Sequence, residues 1–153
     1  MSETISSLQS AFAGESQAHT KYRYFAKLAR EQGYEDVAKH FEHTADQELL
    51  HAWGHLELTL GKPSVTECLE MAIAGETYEY QIMYPGFKEI AEFEGNLAAV
   101  EEASHQLEES KRHAQEFKEV LKKAGKRFAA LTKVEQRHAN AYQQILDSLS
   151  EEK

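Results

Sequence analysis

Three observations in the 153 residues predict an all-α chain, a four-helix bundle with an additional or extended helix in its C-terminal half. Apolar side chains return every three or four positions along almost the whole length, the pattern of an amphipathic helix. Only two prolines are present, so long stretches run without a breaker. Glutamates and histidines recur three apart inside the same stripes, which puts both groups on one helix face, directed at the core.

The elements follow in order. From Thr4 to about Arg30 the stripe is Ile5, Leu8, Phe12, Tyr22, Phe25 and Leu28, with Glu15 near its middle, and Gly33 closes this first helix. Residues 35–60 repeat the pattern through Val37, Phe41, Ala45, Glu48, Ala52, His55 and Leu56, and Gly61-Lys62-Pro63 ends it. Ser64-Val65-Thr66-Glu67 has capping-box spacing and should open a third helix that carries Glu76 and Glu79 to about Glu94. Within it, Tyr84-Pro85-Gly86 breaks the hydrogen-bond ladder and predicts a kink or a one-residue bulge. From Leu97 the stripe passes through Val100, Leu107, Ala114, Phe117 and Leu121, and Lys122-Lys123-Ala124-Gly125 reads as a helix end. A last helix takes Phe128, Leu131, His138, Tyr142, Ile145 and Leu149, and the tail at 150–153 is expected to be loose.

Composition narrows the function. A net charge of −9 argues against nucleic acid or an anionic membrane as partner. No stretch approaches the ~20 apolar residues of a membrane span, and the N-terminus lacks a basic and apolar leader, so a single cytoplasmic domain over 1–153 is expected. Cys68 stands alone, which leaves these residues without an internal disulfide or a four-thiolate metal site.

The carboxylates carry the chemistry. Glu48-Leu49-Leu50-His51 and Glu135-Gln136-Arg137-His138 are Glu-x-x-His units, Glu76 and Glu79 are three apart, and Glu15 sits among small residues. A greasy interior does not accept bare carboxylates, so either the face is wet or cations lie between the helices. One glutamate from each of two helices with Glu-x-x-His from two others is the ligand set of a dinuclear iron or manganese site. Hard, redox-active iron suits oxygen and imidazole donors. Two repeats support a built arrangement. Ala11-Phe12-Ala13-Gly14-Glu15-Ser16 matches Ala72-Ile73-Ala74-Gly75-Glu76-Thr77, giving two related hairpins, and Arg112-His113-Ala114 returns 25 residues later as Arg137-His138-Ala139. Only the later copy has the glutamate; the earlier has Ser110.

Ala11–His19, Glu48–Ala52, Ala74–Tyr80 with Met83-Tyr84-Pro85, and Glu135–Ala139 together resemble the rubrerythrin family across most of the chain. The resemblance implies a ferritin-like bundle holding two iron ions, Fe2+/Fe3+, with manganese or zinc as possible substitutes, that reduces hydrogen peroxide to water. It implies Glu48 and Glu135 as bridging ligands and Glu15, His51, Glu76, Glu79 and His138 as terminal ones. It further implies an iron that moves between His51 and Glu79 with oxidation state, and Tyr22 and Tyr84 lining the site. With no four-cysteine rubredoxin segment, the chain resembles the rubredoxin-less branch and needs an external electron donor protein. The family spacing, however, puts the last pair at Ser110 and His113. Glu135 and His138 are preferred as the complete copy, and a hairpin turning near Glu109-Ser110 would give their helix the required direction; His113 is the alternative.

Other readings stay open beside this one. A ferritin-like iron oxidase reacting with dioxygen, a metal-binding protein and a metal-free bundle all fit the pattern. His19, His40, His43 and His105 read as surface or outer groups, His55 as packed, Tyr78, Tyr80 and Trp53 as core, and Cys68 as a small core residue. Lys122, Lys123, Lys126 and Arg127 read as a solvated helix end, with docking of an acidic donor as the alternative. Finally, residues 61–66 reach only about 20 Å, against a climb of roughly 30 Å if the third helix is to run beside the second in the same direction. A homodimer that exchanges hairpins is therefore expected.

Overall fold

The computed structural model of the protein describes residues 2–151, with side chains through 144; the Ile145 and Leu149 side chains and the tail beyond Glu151 lie outside the described residues. The described residues form helices α1 (Glu3–Glu31), α2 (Glu35–Leu60), α3 (Val65–Tyr78), a π-helical turn (Glu79–Met83), α4 (Tyr84–Phe93) and α5 (Leu97–Glu151), with no strand among them. They divide into two compact units, Met1–Pro63 and Ser64–Lys153.

In the first unit α1 packs along α2. Ser2 caps α1, its Oγ accepting from the Ile5 N–H at 3.3 Å. Gly33, at φ +84°, takes the left-handed conformation that turns the chain into α2. The seam is made of alanines: Ala26, Ala29, Ala38, Ala45 and Ala52 are buried, and their small side chains let the two backbones come close. Phe41 packs against this core and forms a ring cluster with Tyr22 and Phe25, at centroid separations of 6.0 and 5.6 Å. At the far end Arg30 pairs with Glu42 at 2.9 Å and with Glu35 at 3.0 Å.

In the second unit α3 and α4 both pack on α5. The expected capping box opens α3: Ser64 Oγ accepts from the Glu67 N–H at 3.3 Å, and Glu67 Oε2 accepts from the Ser64 N–H at 2.7 Å. The expected bulge is the π turn, where the Tyr84 N–H reaches back five residues to the Glu79 carbonyl. Pro85 explains it. Proline has no N–H for the carbonyl four residues back, that of Gln81, and its ring would strike it in a regular α-helix.

The structure departs from expectation in α5, which runs without a break through both 109–110 and 122–125. An isolated glycine such as Gly125 costs only about 1 kcal/mol against alanine. Lys122, Lys123, Ala124, Lys126 and Arg127 around it favour winding, and no proline follows. The extended C-terminal helix is thus one element of 55 residues, and no hairpin reverses it. Burial departs as well. Trp53, Tyr78 and Phe25 are exposed rather than core, and Cys68 is exposed rather than packed. Alanines, not large side chains, fill both seams, so bulky apolar groups are left on the outer faces of each unit.

Candidate metal centre

Each unit gathers carboxylates and an imidazole. In the first, α1 brings Glu15 and α2 brings Glu48 and His51, and one ligand atom from each lies within 4.8 Å of the others. His51 Nδ1 stands 3.2 Å from Glu48 Oε2. The two glutamates act on each other in opposite directions. The hydrogen bond with Glu48, then burial and the neighbouring negative charge, raise Glu15 above the usual carboxylate range. The hydrogen bond from Glu15 and then His51 hold Glu48 below it. Neither lysine nor arginine figures among the groups acting on either one. Two adjoining carboxylates beside an imidazole are a donor set that a divalent cation would satisfy. One helical turn beyond Glu15, His19 donates from Nδ1 to the Ala45 carbonyl at 2.8 Å and ties α1 to α2. Tyr22 belongs to the ring cluster two turns beyond Glu15 and is half-buried.

In the second unit Glu76 on α3 faces His113 on α5, with Glu76 Oε2 and His113 Nδ1 3.6 Å apart, too long for a hydrogen bond. Glu76 Oε2 is buried with no hydrogen-bond partner. An orphaned, buried carboxylate oxygen is costly unless something positive meets it. Both residues line a depression of ≈ 380 Å³ with Glu116, Phe117 and Val120. Glu79, the first residue of the π turn, accepts from the Ser110 hydroxyl at 2.8 Å. The Tyr84 phenol is raised by burial and then by the charges of Glu79, Glu102 and Glu76, so it stays protonated across the neutral range.

The sequence-predicted residues therefore fall into three places. Glu15, Glu48 and His51 converge in the first unit, and Glu76, Glu79 and Tyr84 group against α5 in the second. Glu135 and His138 are exposed on the distal part of α5. They lie about 37 Å by helix rise beyond Ser110 and His113. The imidazole that faces Glu76 is His113, the alternative. Sequence reasoning missed two contributors. Ser110 was read only as an absent glutamate, although its spacing from Leu107 and Ala114 puts it on the α5 stripe. Glu102 lay among charged neighbours that gave no such signal.

A family profile described as Rubrerythrin matches residues 6–146. Nigerythrin from Nitratidesulfovibrio vulgaris is 43% identical over 111 residues, covering 63% of this chain and 55% of that protein. Rubrerythrin from Porphyromonas gingivalis is 44% identical over 114 residues, covering 65% and 57%. A putative rubrerythrin from Methanocaldococcus jannaschii is 32% identical over 144 residues, covering 80% and 71%. The match thus spans little more than half the length of the first two relatives.

Proposed function

The chain belongs to the rubrerythrin family, and from that premise we propose that it is a ferritin-like di-iron peroxidase, reducing hydrogen peroxide to water with electrons from a separate, rubredoxin-like donor. The observation that carries the reading is electrostatic. Each unit holds two glutamates and an imidazole, with Glu15 pushed above the usual carboxylate range in one and a Glu76 oxygen left without a hydrogen-bond partner in the other. The proposed ligands are Glu15, Glu48 and His51 with Glu76, Glu79 and His113, and Glu135 with His138 is the competing source of the last pair. Manganese or zinc can satisfy the same donors.

When bound, two ferrous ions supply the two electrons that convert hydrogen peroxide and two protons into two waters. The chain's own groups manage protons and position. Glu15 is held above the usual carboxylate range and must be ionised to bind a cation, so binding tightens as pH rises. Tyr84 keeps its O–H near Glu79 and Glu76 and can donate to an oxygen held there. His19 fixes the spacing of α1 and α2 and hence of Glu15 and Glu48. With one cysteine, these residues supply no thiolate iron, which is why the donor lies outside them.

In this reading the two units make one ferritin-like domain, and two copies exchange hairpins to complete it. The linker between Leu60 and Val65 supports exchange, since four residues span about 13 Å. No described helix is long and apolar enough to cross a membrane, and the proposed setting is the cytoplasm. Stopped-flow oxidation of the anaerobically reduced protein tests the activity: faster reaction with peroxide than with dioxygen is expected, and the reverse order would transfer the protein to the ferritin-like iron oxidases. Sedimentation of a monomer that still holds two irons would refute the exchange.

A further inference from the structure

Ser110 is the one buried polar residue among the described residues, at 4% exposure. Serine and threonine inside a helix commonly return the hydroxyl to the carbonyl four residues back, as Ser104 does to Val100 at 2.7 Å and Thr132 to Phe128 at 3.0 Å. Ser110 gives its single proton to a different helix, to Glu79 Oε2 at 2.8 Å. It also stands three residues before His113, as Glu48 stands three before His51. At this matched position the two hairpins differ, with a carboxylate on α2 and a neutral hydroxyl on α5.

We propose that Ser110 is the positioning residue of the metal-binding group in the second unit. This rests on the two-metal reading above. Its hydroxyl holds Glu79 by Oε2, which leaves Oε1 as the oxygen offered to a cation. Its neutrality sets the charge. Glu76 and Glu79 carry two negative charges against the two positive charges of one divalent ion, so a ferrous ion held there is balanced without a third carboxylate. A carboxylate at 110 would add a charge that favours the oxidised ions.

Cobalt(II) titration, followed by visible absorption, and redox potentiometry of the iron-loaded protein test this with Ser110→Ala, Ser110→Thr and Ser110→Glu. The wild type and the threonine variant should bind two cobalt ions per chain with the same spectrum. The alanine variant should bind one of them about tenfold more weakly, with an altered spectrum, as Glu79 loses its tether. The glutamate variant should show a lower midpoint potential. If the added charge favours ferric over ferrous iron tenfold, the shift is about 59 mV for a one-electron couple. An alanine variant identical to wild type in affinity and spectrum overturns the tether, and a glutamate variant with an unmoved potential overturns the charge argument, both leaving the two-metal reading intact. A wild-type protein that takes up no cobalt overturns that reading itself. Should the alanine variant fail to fold, the threonine and glutamate variants carry the test between them.

Discussion

Replacing His113 by alanine, beside the same change at His138, asks the most of the geometry. His113 Nδ1 faces the buried Glu76 Oε2 at 3.6 Å, so His113→Ala removes the imidazole that faces an orphaned carboxylate oxygen. His138 lies about 37 Å further along α5 by helix rise. Two unit charges that far apart in water interact by only about 0.1 kcal/mol, before salt screens even that. The lost imidazole should weaken one metal ion at least about tenfold, as far as disturbing even a ligand's supporting groups does. Because a bound ion stabilises the fold in proportion to the logarithm of its affinity, tenfold is about 1.4 kcal/mol under saturating metal. For a chain of this length that lowers the melting temperature by about 3–6 °C. Anaerobic calorimetry at fixed ferrous iron, with metal content per chain, reads both numbers. His113→Ala should lose an ion and melt earlier, and His138→Ala should match wild type. The opposite pattern would refute the assignment and return the last pair to Glu135 and His138.

Three further outcomes are expected. Ser64→Ala removes the side chain that accepts from the Glu67 N–H and should cost about 1 kcal/mol, seen as a lower urea midpoint with unchanged slope. Ala38→Leu puts a larger side chain at a fully buried position in the α1–α2 seam and should destabilise by about 1–3 kcal/mol on the same assay. Arg30 holds the Glu42 carboxyl below its usual range. Because the folded value is lower than the unfolded one, this stabilisation is present above the unfolded value and is lost as pH falls through the folded one. Glu42→Gln should therefore lower the neutral-pH midpoint and flatten the acid limb; an acid limb as steep as wild type would count against the pairing.

Much of this was legible because the decisive signals were local. Ser64 and Glu67 announce a helix start by their spacing alone, and Tyr84-Pro85-Gly86 announces a defect because proline cannot complete the ladder anywhere. Glu15, Glu48 and His51 converge because two amphipathic helices pair along their stripes, and the stripe is visible in the sequence. Gly125 misled because a glycine marks an end only when something beyond it stops the winding, and nothing does. The burial of Trp53 and Tyr78 was misjudged for a related reason. Helical spacing says that a side chain lies on an apolar face but not which partner covers it, and each seam closes on alanines instead. Ser110 was hidden by its ordinariness, since only the approach of Glu79 from another helix gives its hydroxyl a role.

The wide turn at Glu79–Met83 has a consequence for engineering. It contains one residue more than regular coiling needs, and that surplus rotates everything downstream by about 100° around the rod. Deleting a single residue from 80–83 should leave helix content and the α3 capping intact, yet swing the Tyr84 phenol away from its cluster of acids. Where that hydroxyl stands is a matter of phase, set by how the backbone is wound and not by which amino acids the segment contains.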